Sequence, residues 1–282
     1  MGDRRITITV LVENTALFRG HRAEHGFAVW LETPDGAILW DTGQSGMLMH
    51  NAECLGIDFS AVKIIALSHG HYDHTGGLLD VLAGAPGASV YCHPDVFTER
   101  FTPNPDASDS AHSIGIPYGR DTLEHSCHTL QVNRGPVELL PGISLTGEIP
   151  RNTDFEDVGG AFYLDRECTK PDSLIDDQSL VIETDHGLVV LLGCCHAGIV
   201  NTLTMVSEHW QTRTFSLIAG GTHLAAAAED RIEKTIHSLE NFDIGTLAPG
   251  HCTGWKQVCM LSRAFPEIVA PLHVGWSWRS TG

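Results

Sequence analysis

Polar and apolar residues alternate through Ile6-Thr7-Ile8-Thr9-Val10, the period of a strand with one buried face. Residues 27–32 and 37–41 are two further apolar runs. Between them, Thr33-Pro34-Asp35-Gly36 fixes φ, supplies a side-chain cap and then frees φ, so the pair reads as a hairpin. Short helices are expected over 46–54 and, opened by Pro94, over 94–100. Strands are expected over 64–67, 88–92, 137–140, 143–146, 179–184 and 188–192. The last of these has no polar position, which predicts burial on both faces. Residues 199–208 and 229–240 read as helices, the second with Ile232, Ile236 and Leu239 at helical spacing, and 215–219 and 244–248 as strands. No linker-like shift in composition divides residues 1–282, which read as a single domain. From 102 to 128 the periodicity fades among prolines, serines and glycines, so this stretch reads as a lid-like insertion.

Four of these strands end in turns that pair glycine with histidine. The densest is Ser68-His69-Gly70-His71-Tyr72-Asp73-His74-Thr75-Gly76-Gly77; the others carry His196, His223 and His251. Imidazole nitrogen and carboxylate oxygen bind borderline divalent metals. The spacing H-x-H-x-D-H suits two ions, with His69 and His71 turned to one and Asp73 and His74 to the other. The repeated layout places His196, His223 and His251 at the same sheet edge.

Composition narrows the partners. A formal charge of −18 lacks the basic surface that phosphate contacts require, so no nucleic-acid partner is expected. Hydrophobic residues make up 42% and charged residues 18%, an ordinary globular balance. No run reaches membrane-spanning length, and no membrane partner is expected. Eight cysteines without a C-x-x-C pair fit reduced thiols and a cytoplasmic location.

The stretch 68–77 resembles the ligand signature of the metallo-β-lactamase superfamily. That resemblance implies an α/β fold: an αββα sandwich of two mixed β-sheets with helices on the outer faces and a one- or two-metal site along one edge. Position by position, it assigns His69, His71, Asp73 and His74 to the first ligand motif and His251 to the last ligand. It also implies that Asp41 lies beneath the metal loop and fixes a ligand. Gly193-Cys194 stands where most members have Gly-Asp. His196 is taken as the remaining ligand, with Cys194 as an alternative. The slot before it lacks a histidine, which leaves Glu148, Asp176 and Asp177 as acidic candidates. Residues 41–46, 145–151, 176–178, 193–198 and 220–224 are similar to one subgroup, typified by the dihydropterin–ribofuranosylaminobenzene phosphate synthases.

The expected cofactor is one or two divalent metal ions. Zinc leads, and a carboxylate in place of imidazole would admit manganese, iron or magnesium. The expected activity is hydrolysis of a small molecule, with metal-activated water attacking a carbonyl or phosphoryl centre. Asp73 and His223 are the catalytic candidates. His223 contacts substrate or protonates the leaving group, and Arg151 grips an anionic substrate. A synthase-like transfer, in which the metals hold a diphosphate leaving group, is the alternative; a non-catalytic metal-containing sensor is the third reading. The oligomeric state stays open.

Overall fold

In the computed structural model, which describes residues 5–104 and 111–280, the chain lays down two sheets that face each other. The first half supplies β1 (Thr7–Val12), β2 (Ala28–Thr33), β3 (Gly36–Trp40), β4 (Val62–Ala66) and β5 (Ser89–Cys92). A small hairpin of β6 (Phe101–Pro103) and β7 (Ala111–Ser113) precedes β8 (Thr129–Val132). The second half supplies β9 (Val137–Leu140), β10 (Ile143–Leu145), β11 (Leu180–Thr184), β12 (Gly187–Leu191), β13 (Thr214–Gly221), β14 (Asp243–Ile244) and β15 (Leu247–Gly250). A last strand, β16 (Ser277–Arg279), crosses back and pairs with β1, so the C-terminal tail packs on its own domain.

The first sheet runs β16-β1-β2-β3-β4-β5-β8, antiparallel at the β1 end and parallel from β3 onward. The second runs β14-β13-β12-β11-β10-β9, with β15 also paired in parallel to β13. Both sheets are therefore mixed. The parallel halves matter for function, because their carboxyl ends all open on one edge.

Side-chain alternation sorts the core into three layers. Ile8, Val29, Ile38, Leu180, Val189 and Leu217 meet between the sheets. Under the outer face of the first sheet lie α1 (Met47–Leu55), α3 (Leu78–Gly84) and α4 (Arg120–Ser126), bringing Leu48, Val81, Leu82 and Leu123. Before α3 comes the one-turn helix α2 (Tyr72–Thr75). Over the second sheet lie α5 (Ile199–Trp210), α6 (Glu229–Leu239) and α7 (Trp255–Ala264), bringing Leu203, Leu239 and Leu261. The result is the expected αββα sandwich. Strand β12 shows why it lacks polar residues: Val189 and Leu191 face the inner layer while Leu188 and Val190 face the helices.

Three sequence expectations change. The stretch 102–128 is not without structure: it holds β6, β7 and α4, and Leu123 is fully buried against the first sheet. Residues 105–110 of that stretch lie outside the described residues. The helix expected over 94–100 is a single 3-10 turn, Pro94–Phe97. The strand expected over 244–248 is two pieces, β14 and β15, separated by Gly245 and Thr246.

Arg100 joins these layers to the functional edge. Its buried guanidinium pairs with Asp172 at 2.7 Å and Asp176 at 2.8 Å. Asp176 in turn accepts the backbone N–H of Gly70 at 2.8 Å, between His69 and His71. Gly70 leaves room for this, since a Cβ there would lie 2.4 Å from Arg100 Nη1 and 2.2 Å from Val96 O. Arg100→Ala strands two buried carboxylates, and breaking such a pair costs roughly 3–5 kcal/mol. Urea unfolding should show a loss of that size; a loss below about 1 kcal/mol would mean the cluster is not holding the loop.

Candidate metal centre

The four glycine–histidine turns meet at the carboxyl ends of β4, β12, β13 and β15. Each is a sharp exit from a parallel strand. Cys195, His223 and His251 adopt φ of 60°, 48° and 51°, and Asp41, at the end of β3, adopts 57°. Non-glycine residues in this region carry strain of about 1–3 kcal/mol each and tend to collect at functional sites.

Asp41 is fully buried and sets the proton positions of its neighbours. Its Oδ1 accepts the Ser68 N–H at 2.7 Å, and its Oδ2 accepts Ser68 Oγ–H and His74 Nδ1–H, each at 2.7 Å. Having donated to Asp41, Ser68 Oγ accepts from His69 Nδ1 at 2.9 Å. On the far side, Asn14 Oδ1 takes the Gly26 N–H at 3.3 Å while Asn14 Nδ2 donates to His251 O at 3.2 Å. The amide is thereby oriented, and its Oδ1 accepts His251 Nδ1–H at 3.0 Å. His196 Nδ1–H donates to Val158 O at 2.8 Å.

With each Nδ1 holding the hydrogen, the neutral rings of His69, His74, His196 and His251 all present a bare Nε2 inward. His74 Nε2 stands 3.1 Å from His251 Nε2 and 3.1 Å from Cys194 Sγ. His69 Nε2 stands 3.0 Å from His71 Nδ1. His71 Nε2 and His196 Nε2 are buried without a hydrogen-bond partner. One thiol hydrogen cannot satisfy so many acceptors, and unpaired buried groups are costly. A cation among them can.

Two donor groups follow. Asp73, His74, Cys194 and His251 place ligand atoms within 4.8 Å of one another, and so do His69, Cys194 and His196. His71 closes the second group through its contact with His69. These residues fit one or two divalent ions. Cys194 is therefore inside the centre, whereas the acidic alternatives stand elsewhere. Glu148 pairs with His93 at 3.0 Å and Arg134 at 2.7 Å, Asp176 holds the Gly70 loop, and Asp177 accepts the Ala197 N–H at 2.9 Å.

The sequence reading missed His25, Asn14 and Cys252. His25 is half exposed, reaches Asp73 Oδ2 at 3.1 Å and lies with its ring centre 5.1 Å from that of His251. A cavity of about 150 Å³ opens above the centre, lined by His25, His71, Tyr72, Asp73, Ile114, Phe162, Cys194, His223, His251 and Cys252. His223 sits in its wall, its ring centre 4.3 Å from that of His196 and 5.6 Å from that of Phe162. Arg151 lies apart from this cavity and lines another one, with Glu148, Leu174 and Asp177. Its guanidinium donates to the carbonyls of His196 at 2.7 Å, Ser173 at 2.5 Å and Leu174 at 3.1 Å. It braces the His196 turn from behind.

A family model described as the metallo-β-lactamase superfamily matches residues 21–151. The solved structure of Tm1679, described as a metal-dependent hydrolase of the β-lactamase superfamily, superposes with a TM-score of 0.83 and 28% identity, covering 98% of this chain and 100% of that one. In sequence over residues 21–151 and in fold along its whole length, the chain resembles the metallo-β-lactamase superfamily. Along most of its length it is similar to the 7,8-dihydropterin-6-methyl-4-(β-D-ribofuranosyl)-aminobenzene-5′-phosphate synthase of Methanocaldococcus jannaschii, with 29% identity over 90% of this chain and 89% of that protein. An uncharacterized protein of the same organism, MJ0448, shares 27% identity over 95% of this chain and 98% of its own length.

Electrostatics divide the candidate metal centre into unlike halves. Burial pushes His69, His71 and His196 well below the ordinary imidazole range. Burial also opposes charge on His74, yet Asp41 and Asp73 outweigh it and hold its pKa at about 9. Without metal, one proton thus stands in for the cation. A group raised from 6.5 to about 9 adds stability that is fully present below pH 6.5 and fades as pH rises through 9. Buried neutral imidazoles act oppositely, and their contribution fades as pH falls below 6.5. Chelator-stripped protein should therefore lose thermal stability between pH 6.5 and 9, and zinc-loaded protein should not. Differential scanning calorimetry reads this; equal slopes for both forms would refute the stand-in proton.

Proposed function

We propose that this chain is a metal-dependent hydrolase that cleaves a carbonyl or phosphoryl ester bond in a small molecule. The observation that carries the reading is the set of bare imidazole nitrogens, with Asp73 and Cys194, converging beneath a cavity of about 150 Å³. His69, His71 and His196 would hold one ion and Asp73, His74 and His251 a second, with Cys194 between them. Bound there, divalent metal supplies Lewis acidity and lowers the pKa of water toward neutrality. The resemblance to Tm1679 supports this reading over its full length.

The chain's own groups do the rest. Burial opposes the Asp73 carboxylate, but His74, His25 and His251 hold it well below the ordinary range, so it stays ionised. An ionised carboxylate with so little basicity orients a water hydrogen bond rather than keeping the proton. His223 is placed differently. Burial lowers its pKa, yet Cys252, Asp177 and Asp73 outweigh burial and raise it above the usual imidazole value. With its protonated form favoured and its ring set in the cavity wall, it serves as the donor to the leaving group. Phe162, Ile114 and Tyr72 supply apolar and aromatic surface to the cavity wall.

A second reading is carried by the synthase of M. jannaschii, at 29% identity over most of both chains. There the same cluster would hold the leaving group of an activated dihydropterin while a ribofuranosylaminobenzene phosphate attacks. The two readings separate in one experiment. Zinc- or manganese-loaded protein is assayed on phosphodiester, lactone, thioester and β-lactam substrates, then with the two synthase half-substrates together. Chelator-sensitive turnover of any ester supports hydrolysis; condensation without hydrolysis replaces it with transfer.

The role of His223 yields its own prediction. His223→Gln should lower kcat by about 10²–10⁴-fold on esters with poor leaving groups. On a nitrophenyl ester, which leaves without a proton, the loss should be under about tenfold. Equal losses on both would remove His223 from leaving-group protonation.

A further inference from the structure

Cys194 belongs to a third donor group besides the two histidine-rich ones. Its Sγ, the Sγ of Cys252 and a ring nitrogen of His223 lie within 4.8 Å of one another, and all three side chains line the cavity. The backbone enforces this meeting. Strands β13 and β15 run parallel with Gly221 opposite Gly250, which sets the His223 turn beside the Cys252 turn. A Cβ on Gly221 would stand 2.5 Å from Cys252 Sγ and 2.7 Å from Gly193 O, so glycine there makes space for the thiol. His223 is held at φ 48°, and a Cβ on Gly159 would lie 2.2 Å from its Cδ2. Its Nδ1 is buried without a hydrogen-bond partner. The Cys252 thiol, partly buried, reaches the Cys194 carbonyl at 3.6 Å, a weak contact.

Two sulfurs and one imidazole form a softer donor set than the neighbouring histidines and carboxylate. Thiolates bind zinc at about 2.3 Å and imidazole at about 2.0–2.1 Å, so sub-ångström shifts bring these three donors onto one ion. The cavity leaves the remaining coordination position open, as in sites that exchange ligands rather than purely structural ones. We propose that Cys194, His223 and Cys252 form a third metal site that selects thiophilic ions, Zn²⁺, Cd²⁺ or Cu⁺, and shares Cys194 with the histidine-rich centre. Filling it withdraws His223 from substrate, so excess thiophilic metal inhibits turnover. That consequence rests on the hydrolase reading; the binding does not.

Cadmium tests the site directly. The exposed Cys54 and Cys259 are first replaced by serine to remove adventitious thiols. The stripped protein is then titrated with Cd²⁺ under anaerobic conditions. Elemental analysis counts the ions, and cadmium–thiolate absorption in the ultraviolet counts the sulfurs. The expected result is three equivalents per chain. Cys252→Ser should bind two and lose part of the thiolate band, and His223→Ala should weaken one equivalent at least tenfold while keeping the other two. Two equivalents in both the parent and Cys252→Ser, or an identical band in the two, would overturn the proposal. Three equivalents without inhibition of ester turnover would uphold the site and detach His223 from catalysis, so the two readings fail separately.

Discussion

The carboxylate of Asp41 is the contact on which the rest of the centre depends. It is fully buried at the end of β3, and both its oxygens are spent on three donors, Ser68 N–H, Ser68 Oγ–H and His74 Nδ1–H. Ser68 then passes the constraint to His69. One carboxylate therefore fixes the tautomers of two ligand candidates and the start of the loop that carries two more. Gly193 completes the arrangement from the other sheet, where any Cβ would meet Ser68 Oγ at 2.1 Å. Outer contacts of this kind orient metal-binding imidazoles and raise their basicity. The centre is thus built from the sheets outward, with the ligand loop as its last and most constrained layer.

Both halves of the sandwich are needed. The first sheet brings Asp41, His69, His71, Asp73 and His74, while the second brings Cys194, His196, His223 and His251. Trp40 Nε1–H, at the end of β3, donates to Leu192 O, at the end of β12, at 3.1 Å and ties the two edges beside the site. Asp176 reaches across in the same way to the Gly70 N–H, with Arg100 behind it. Left-handed backbone at Asp41, Cys195, His223 and His251 strains each exit turn. Packing of the three core layers offsets that strain, so turns unfavourable in isolation persist where the side chains must converge.

Much of this was legible in the residues because it is local. The H-x-H-x-D-H run, the unbroken apolar β12 and the recurring glycine–histidine turns each sit within a few positions of sequence. What the sequence concealed is long-range or weakly periodic. His25 and Asn14 lie on a polar loop with no spacing signal, and their partners Asp73 and His251 are 48 and 237 residues away. Arg151 has a structural role that its sequence position did not announce. A cation beside a motif suggested an anion, and the fold also sets its guanidinium against the carbonyls of His196, Ser173 and Leu174, residues distant from it in sequence. Helix α4 went unread because Leu123 alone carries its buried face within a seven-residue element.

The cavity lining bears on what the site can accept. Among the described residues it contains no lysine or arginine, and Asp73 is its one carboxylate. An anionic substrate in a chain of formal charge −18 must therefore find its counter-charge on bound metal or on protonated imidazole. His25 and His223 are the imidazoles available. Asp73 hydrogen bonding holds the first above the ordinary range, and Cys252 outweighs burial to do so for the second. Both donate from side chains that line the cavity, and Phe162 lies between apolar contact with His71 and with His223. On the proposed hydrolase reading, such a pocket would grip the charged end of a substrate and leave the remainder to apolar contact. On that same reading, selectivity would fall to shape around Phe162, Ile114 and Tyr72, because the charged groups of the lining cluster at the candidate metal centre.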